Sequence, residues 1–145
     1  MITVSDTSPI NNLAALNQLH LLHQLYGTIL IPNAVYQELT EPDFDIAGST
    51  EVKTFNWIRT CQIKDATLVN LLSSELGRGE AEVIALGLEV NADQVLIDEP
   101  RGREVAARFG LSYTGILGIL LEAKHKGFLT EVKPILNDLV SRSGF

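Results

Sequence analysis

Cysteine, tryptophan and methionine each occur once in this chain of 145 residues, aromatic residues make up 6%, and 11 Lys and Arg face 18 acids. A single cysteine, Cys61, excludes an internal disulfide and any cysteine-rich zinc site, and leaves the role of a small buried hydrophobe. The formal net charge of −7 excludes a broad basic surface for gripping phosphate backbones, while leaving room for a local basic patch. Acids gathered around cations would make that charge overstate how negative the working protein is. Apolar runs such as Thr28 to Ile31 and Val83 to Val90 fall far short of the roughly 20 residues a membrane-spanning helix needs. The N-terminus shows no basic region followed by an apolar stretch and a small-residue cleavage site, so a cytoplasmic location is expected. A glycine-rich phosphate loop and a dinucleotide fingerprint are both missing. No lysine occurs between Lys64 and Lys124, which argues against a phospho-receiver.

What is present is a composition of 46% hydrophobic and 20% charged residues without repeats or low-complexity tracts, the profile of one compact domain over residues 1–145. Short apolar strands are expected at Met1 to Ser5, Thr28 to Ile31, Ile58 to Ile63 and Gln94 to Ile97, with a brief edge strand at Leu111 to Tyr113. Helices are expected at Leu13 to Tyr26, broken near Asn17, and over "NAVYQEL" after Pro32. Others follow at Glu51 to Asn56, Ala66 to Leu72, Gly79 to Val90, Gly102 to Phe109, Ile116 to Lys126 and Val132 to Val140. "PDFDIAGS" reads as a loop. The alternation predicts an α/β fold in three layers, a central parallel sheet of four or five short strands with helices on both faces. In such sheets ligands bind at the carboxyl ends of the strands.

The acids fall at those ends. Asp6 follows the first strand, Asp98 and Glu99 follow "QVLI", Glu38 lies about two helical turns beyond the second strand, and Glu80 and Glu82 open a helix. Each alone has an ordinary explanation. Asp6 suits a turn, Glu38 a solvated helix face, Asp98 an N-cap, and acids in a first helical turn gain roughly 0.3–1 kcal/mol from the dipole. The helix of Glu80 and Glu82 is apolar nearly all round, so carboxylates entering it must stay near its end, pair with cations or shift their pKa. Two residues apart on a helix point in different directions, which makes Glu80 the stronger candidate of the pair. Oxygen ligands without histidine or cysteine suit magnesium or manganese, ions that support phosphodiester hydrolysis.

"SDTSPI", "IPNAVYQEL", "GRGEAEVIALGLE", "VLIDEPRGREVAARFGL" and "TGILGILLEAKHKGFL" together resemble the PIN-domain family, over nearly the whole chain. The likeness is to a poorly characterised subgroup close to the VapC-type toxin ribonucleases of toxin-antitoxin systems. It implies a Mg2+- or Mn2+-dependent ribonuclease with catalytic acids Asp6, Glu38, Glu80 and Asp98. Glu82 and Glu99 join these four as possible ligands. Flap endonucleases share the fold and use a similar "GEA" stretch with both acids near the metals, which favours Glu82. Where the subgroup commonly has two aspartates, this chain has Asp98-Glu99-Pro100, which puts Glu99 in doubt.

For an RNA substrate, Thr7, Ser8, Arg78, Arg101 and Arg103 are the candidate contacts, with ion pairing on a solvated helix the plainer account for Arg108. Thr114 and Gly115 begin a helix where an anion could sit, or simply form a tight turn. His20 and His23 stand at helical spacing, but a surface helix explains them better than a metal. The resemblance further implies a small antitoxin partner and a homodimer, the latter through Leu13, Leu16, Leu19, Leu22 and Leu25 unless these are core. The competing expectation is a PIN-fold interaction module with weak or no catalysis, suggested by the acidic charge, the altered "DEP" and the sparse basic residues.

Overall fold

A computed structural model describes residues 1–143, so residues 144–145 of the expected domain lie outside it. Among the described residues the chain forms five strands and nine helices. The strands are β1 (Thr3–Ser5), β2 (Ile29–Pro32), β3 (Ile58–Cys61), β4 (Gln94–Leu96) and β5 (Tyr113–Thr114). They make one parallel sheet in the order β3-β2-β1-β4-β5. The expected three-layer α/β fold is therefore present, with all five strands.

The order reverses beside β1, whose neighbours are β2 and β4. Registers Thr3↔Gln94, Val4↔Val95 and Ser5↔Leu96 bring Asp6 and Asp98 out on the same edge of the sheet. A topological switch of this kind opens a crevice, because the connections leaving adjacent strands turn to opposite faces.

The first helix begins earlier than expected. Thr7–Ala15 is α1, starting directly after Asp6, and His20–Tyr26 is α2. The expected break falls at Asn17, held in the left-handed region with φ 56°. Leu13, Leu16, Leu19 and Leu22 are buried and Leu25 half-buried against the core, so packing accounts for these leucines.

After β2 comes α3 (Asn33–Thr40), then α4 (Ser49–Thr54) and, beyond β3, α5 (Ala66–Leu72). The central helix α6 (Arg78–Glu89) packs across β1, β2 and β4, with α3 and α5 beside it. Ala81 and Val83 to Gly87 are all buried, as the apolar surround of this helix requires. Fully burying a residue such as Ile84 stabilises the fold by about 1.5–3 kcal/mol. Then follow α7 (Pro100–Arg108), α8 (Ile116–His125), which packs on α2, and α9 (Lys133–Ser143). Among the described residues no helix is long and apolar enough to cross a membrane.

Candidate active site

β1 ends at Ser5, and Asp6 turns the chain into α1 in an extended conformation. As N-cap its Oδ1 accepts from the Thr7 amide at 2.8 Å, while its own amide donates to the Leu96 carbonyl at 3.0 Å. The side chain is thereby fixed at the β1/β4 crevice, with the residue only 5% exposed. The Thr7 hydroxyl donates to Glu38 Oε2 at 2.5 Å, which ties the start of α1 to α3. A cleft of about 320 Å³ is lined by Asp6, Glu38, Glu80 and Glu99, with Thr7, Ser8 and Asn11 on the α1 side and Gly77 and Gly79 on the α6 side.

Asp98 does not line the cleft, although its charge reaches Asp6. Its Oδ1 accepts from the Ile116 amide at 2.7 Å and lies 3.7 Å from the Arg103 guanidinium. Its Oδ2 is buried with no hydrogen-bond partner among the described residues. Burial of a carboxylate oxygen without a donor costs free energy that a cation would offset.

The acids perturb one another. Burial pushes Asp6 from its ordinary 3.8 up to about 7, the charges of Glu80, Glu38 and Asp98 push in the same direction, and only the Thr7 amide opposes them. Glu80 is raised by burial and by the charges of Glu99 and Glu38, against the Gly77 amide. Asp98 is raised by burial and by Glu99, against the Ile116 amide and Arg103. Desolvation and like charge both disfavour the ionised form. A cluster in this condition suits a hard divalent ion, since every donor is a carboxylate or hydroxyl oxygen. Among the described residues, however, no three acidic, histidine or cysteine side chains stand close enough together to hold an ion as they are. The cleft supplies the donors without a closed cage.

Other residues expected at the site have partners of their own. Glu82 is buried and faces away from the cleft: Oε1 accepts from the Ala34 amide at 3.1 Å and Oε2 from Arg78 Nε at 3.0 Å, so both oxygens serve the start of α3 and an ion pair. Arg101 and Arg108 both reach Glu75, each at 3.0 Å. The plainer reading of Arg108 covers Arg101 as well. Arg103 donates to the Ile97 carbonyl at 2.9 Å and lies over the Tyr113 ring. At the start of α8 the Ile116 amide is already taken by Asp98. His23 stacks on Trp57 and its Nδ1 contacts the Gly27 carbonyl at 3.0 Å, a structural role. Ser8 Oγ accepts from Asn12 at 3.1 Å at the cleft's margin.

Some contributors had no sequence signal pointing to them. Asn11 lines the cleft while its Nδ2 donates to the Ala47 carbonyl at 2.9 Å, pinning the "PDFDIAGS" loop. Gly79 leaves the space that the Glu38 carboxylate occupies, since a Cβ there would overlap Glu38 Oε1. Gly115 does the same for Arg103 and Asp98. A glycine inside "GRGEAE" or "YTGILG" reads as a turn residue until the neighbour from another element is known.

The comparisons with known proteins agree with this architecture. The family model DUF3368, described as a PIN domain, matches residues 2–145. No curated protein matches the sequence. Among solved structures, the chain is similar to a PilT N-terminus domain protein, SSO1118, from the hyperthermophilic archaeon Sulfolobus solfataricus P2, with a TM-score of 0.60 and 16% identity over 85% of this chain and 93% of the other. At that identity the likeness concerns the fold.

Proposed function

The chain belongs to the PIN-domain family, and from that premise we propose that it is a metal-dependent endoribonuclease acting on single-stranded RNA. The observation that carries the proposal is Asp6, buried at the β1/β4 crevice and pushed up to about 7 beside three further carboxylates. Acids brought together at such cost from four stretches of chain serve a cation better than they serve the fold. Asp6, Glu38, Glu80 and Asp98 would hold Mg2+ or Mn2+, with Glu99 as a further ligand. When bound, such an ion activates a water and stabilises the leaving oxygen of a phosphodiester. Thr7 keeps the Glu38 carboxylate aimed at the cleft through its hydroxyl. Arg78, 70% exposed at its side chain and engaged with Glu82 only through Nε, has terminal nitrogens free to hold a phosphate. Family resemblance supports, as part of the same reading, the toxin role in a toxin-antitoxin pair, with a small antitoxin partner and a homodimeric state.

A second reading, a PIN-fold interaction module with weak or no catalysis, is favoured by the open arrangement of the acids and by the commitment of Asp98 Oδ1 to α8. The two separate in one set of measurements. The nuclease reading expects manganese binding by calorimetry, and cleavage of single-stranded RNA that is lost in Asp6→Asn. Protein that neither binds manganese nor cleaves RNA would establish the interaction module instead.

A further inference from the structure

Beside the acidic cleft lies a second cavity of about 240 Å³ whose wall carries four carboxamides, Asn33, Gln37, Gln62 and Asn70. Asn33 directly follows β2 and Gln62 directly follows β3, so the cavity opens on the same carboxyl edge of the sheet as the acids after β1 and β4. All four of these residues are exposed, and none of their side chains has a hydrogen-bond partner among the described residues. Asn11, Asn12 and Gln94, by contrast, spend their side-chain amides on Ala47, on Ser8, and on Thr3 and Thr114. Ile63 and Val69 give the cavity an apolar lining.

The cavity and the cleft flank a shallow depression. Gln37 and Arg78 line both the cavity and this depression, and Glu38 lines both the depression and the cleft. A chain leaving the acids thus passes the free end of the Arg78 guanidinium before it reaches the carboxamides. Carboxylates, then a cation, then a pocket of carboxamides over apolar side chains, with the one carboxylate in its lining, Glu82, already held by the Ala34 amide and Arg78, match successive parts of a single RNA strand. The acids sit at the scissile phosphate, Arg78 at an adjoining phosphate, and the pocket takes an unstacked base.

We propose that this pocket is a base-reading subsite that receives one adenine of the RNA, an inference that rests on the nuclease reading above. A carboxamide presents an N–H donor and a carbonyl acceptor side by side, the complement of adenine N6 and N7. Guanine is read best by a guanidinium, and the one on this pocket's wall, Arg78, is given to the adjoining phosphate in this reading. At about 240 Å³ the pocket is smaller than those that take larger ligands.

The test uses the full chain carrying Asp6→Asn, which binds without cutting, and short single-stranded oligouridylates with or without one central adenosine. Fluorescence anisotropy is expected to show roughly tenfold tighter binding of the adenosine-containing strand, falling to under about twofold when Gln62→Ala and Asn70→Ala are added. Both positions are exposed, and an unchanged melting temperature checks that the additions leave the fold intact. Equal affinity for the two strands, or a preference that survives both substitutions, overturns the pocket. Failure of the unsubstituted chain to cleave any RNA with manganese, while the adenosine preference holds, overturns the nuclease reading and leaves the pocket standing as a binding site.

Discussion

Asp98 Oδ1 accepts a hydrogen bond from the Ile116 amide at 2.7 Å while its other oxygen is buried without a partner. One carboxylate thus has a structural half, which holds the start of α8, and a half left for a cation. Two substitutions should separate these roles. Asp98→Ala leaves the Ile116 amide without its acceptor and is expected to cost about 1–3 kcal/mol of stability. Asp98→Asn keeps an acceptor and removes the charge, so thermal melting should change little while manganese affinity falls at least tenfold. Equal melting temperatures for the two variants would show that the cap carries no weight.

Asp6 gives the protein a pH signature. Its pKa rises from 3.8 to about 7 on folding, so between those values the folded state holds a proton that the unfolded chain has released. Stability therefore falls as pH rises through this window, by an amount on the order of 2–4 kcal/mol when complete. Asp6→Asn removes the titration, and that variant should melt higher than the parent at pH 8 and nearly level with it at pH 4. Manganese favours the ionised carboxylate, so it should raise the melting temperature of the parent more at pH 8 than at pH 5.5, and that of Asp6→Asn little at either. Parallel melting curves for parent and variant across pH 4 to 8 would refute this account of Asp6.

Gly79 is placed so that a methyl group would displace the tip of Glu38. Glu38 is exposed and flexible, so its side chain can move cheaply, and alanine is the better helix former by up to about 1 kcal/mol. Gly79→Ala should leave stability within about 1 kcal/mol of the parent and reduce manganese affinity and RNA cleavage by tenfold or more. A loss of activity that merely tracks a loss of folded protein would contradict the geometry.

The fold was largely legible because its strands are short apolar runs ended by acids or proline, and because α6 is apolar on nearly every side. Asp6, Asp98 and Glu99 could be placed because each lies within three residues of a strand's end, where position along the chain is also position on the sheet edge. Glu38 and Glu80 needed only a helix start and a count of turns. Gly79 and Gly115 were opaque because what they accommodate arrives from other parts of the chain. The carboxamides escaped notice for a different reason: neutral and exposed, Gln62 and Asn70 differ in no local way from surface residues, and only the adjacency of β2 and β3 brings them to one cavity with Asn33 and Gln37. The pairing of Arg101 was not legible because Glu75, its partner, lies 26 residues earlier with α6 in between.

Glu82 is the sharpest case of a residue whose type suggests one role and whose surroundings supply another. On α6 it stands two positions from Glu80, roughly 200° around the helix, so the two carboxylates leave in nearly opposite directions. Glu80 enters the cleft, while Glu82 meets the Ala34 amide at 3.1 Å and Arg78 at 3.0 Å. Replacing Glu82 by alanine strips a buried amide of its acceptor and leaves a void, at a cost of about 2–4 kcal/mol. Glu82→Gln retains an acceptor for Ala34 and loses mainly an ion pair whose arginine is exposed, which is worth under about 1 kcal/mol. The corresponding change at Glu80, whose charged form is disfavoured by burial and by Glu99, should leave the melting temperature level or raise it. Calorimetry should then find manganese affinity nearly unchanged in Glu82→Gln and at least tenfold weaker in Glu80→Gln. If both weaken it alike, Glu82 must turn toward the cleft when the ion binds, and the start of α3 must give up its acceptor to allow it.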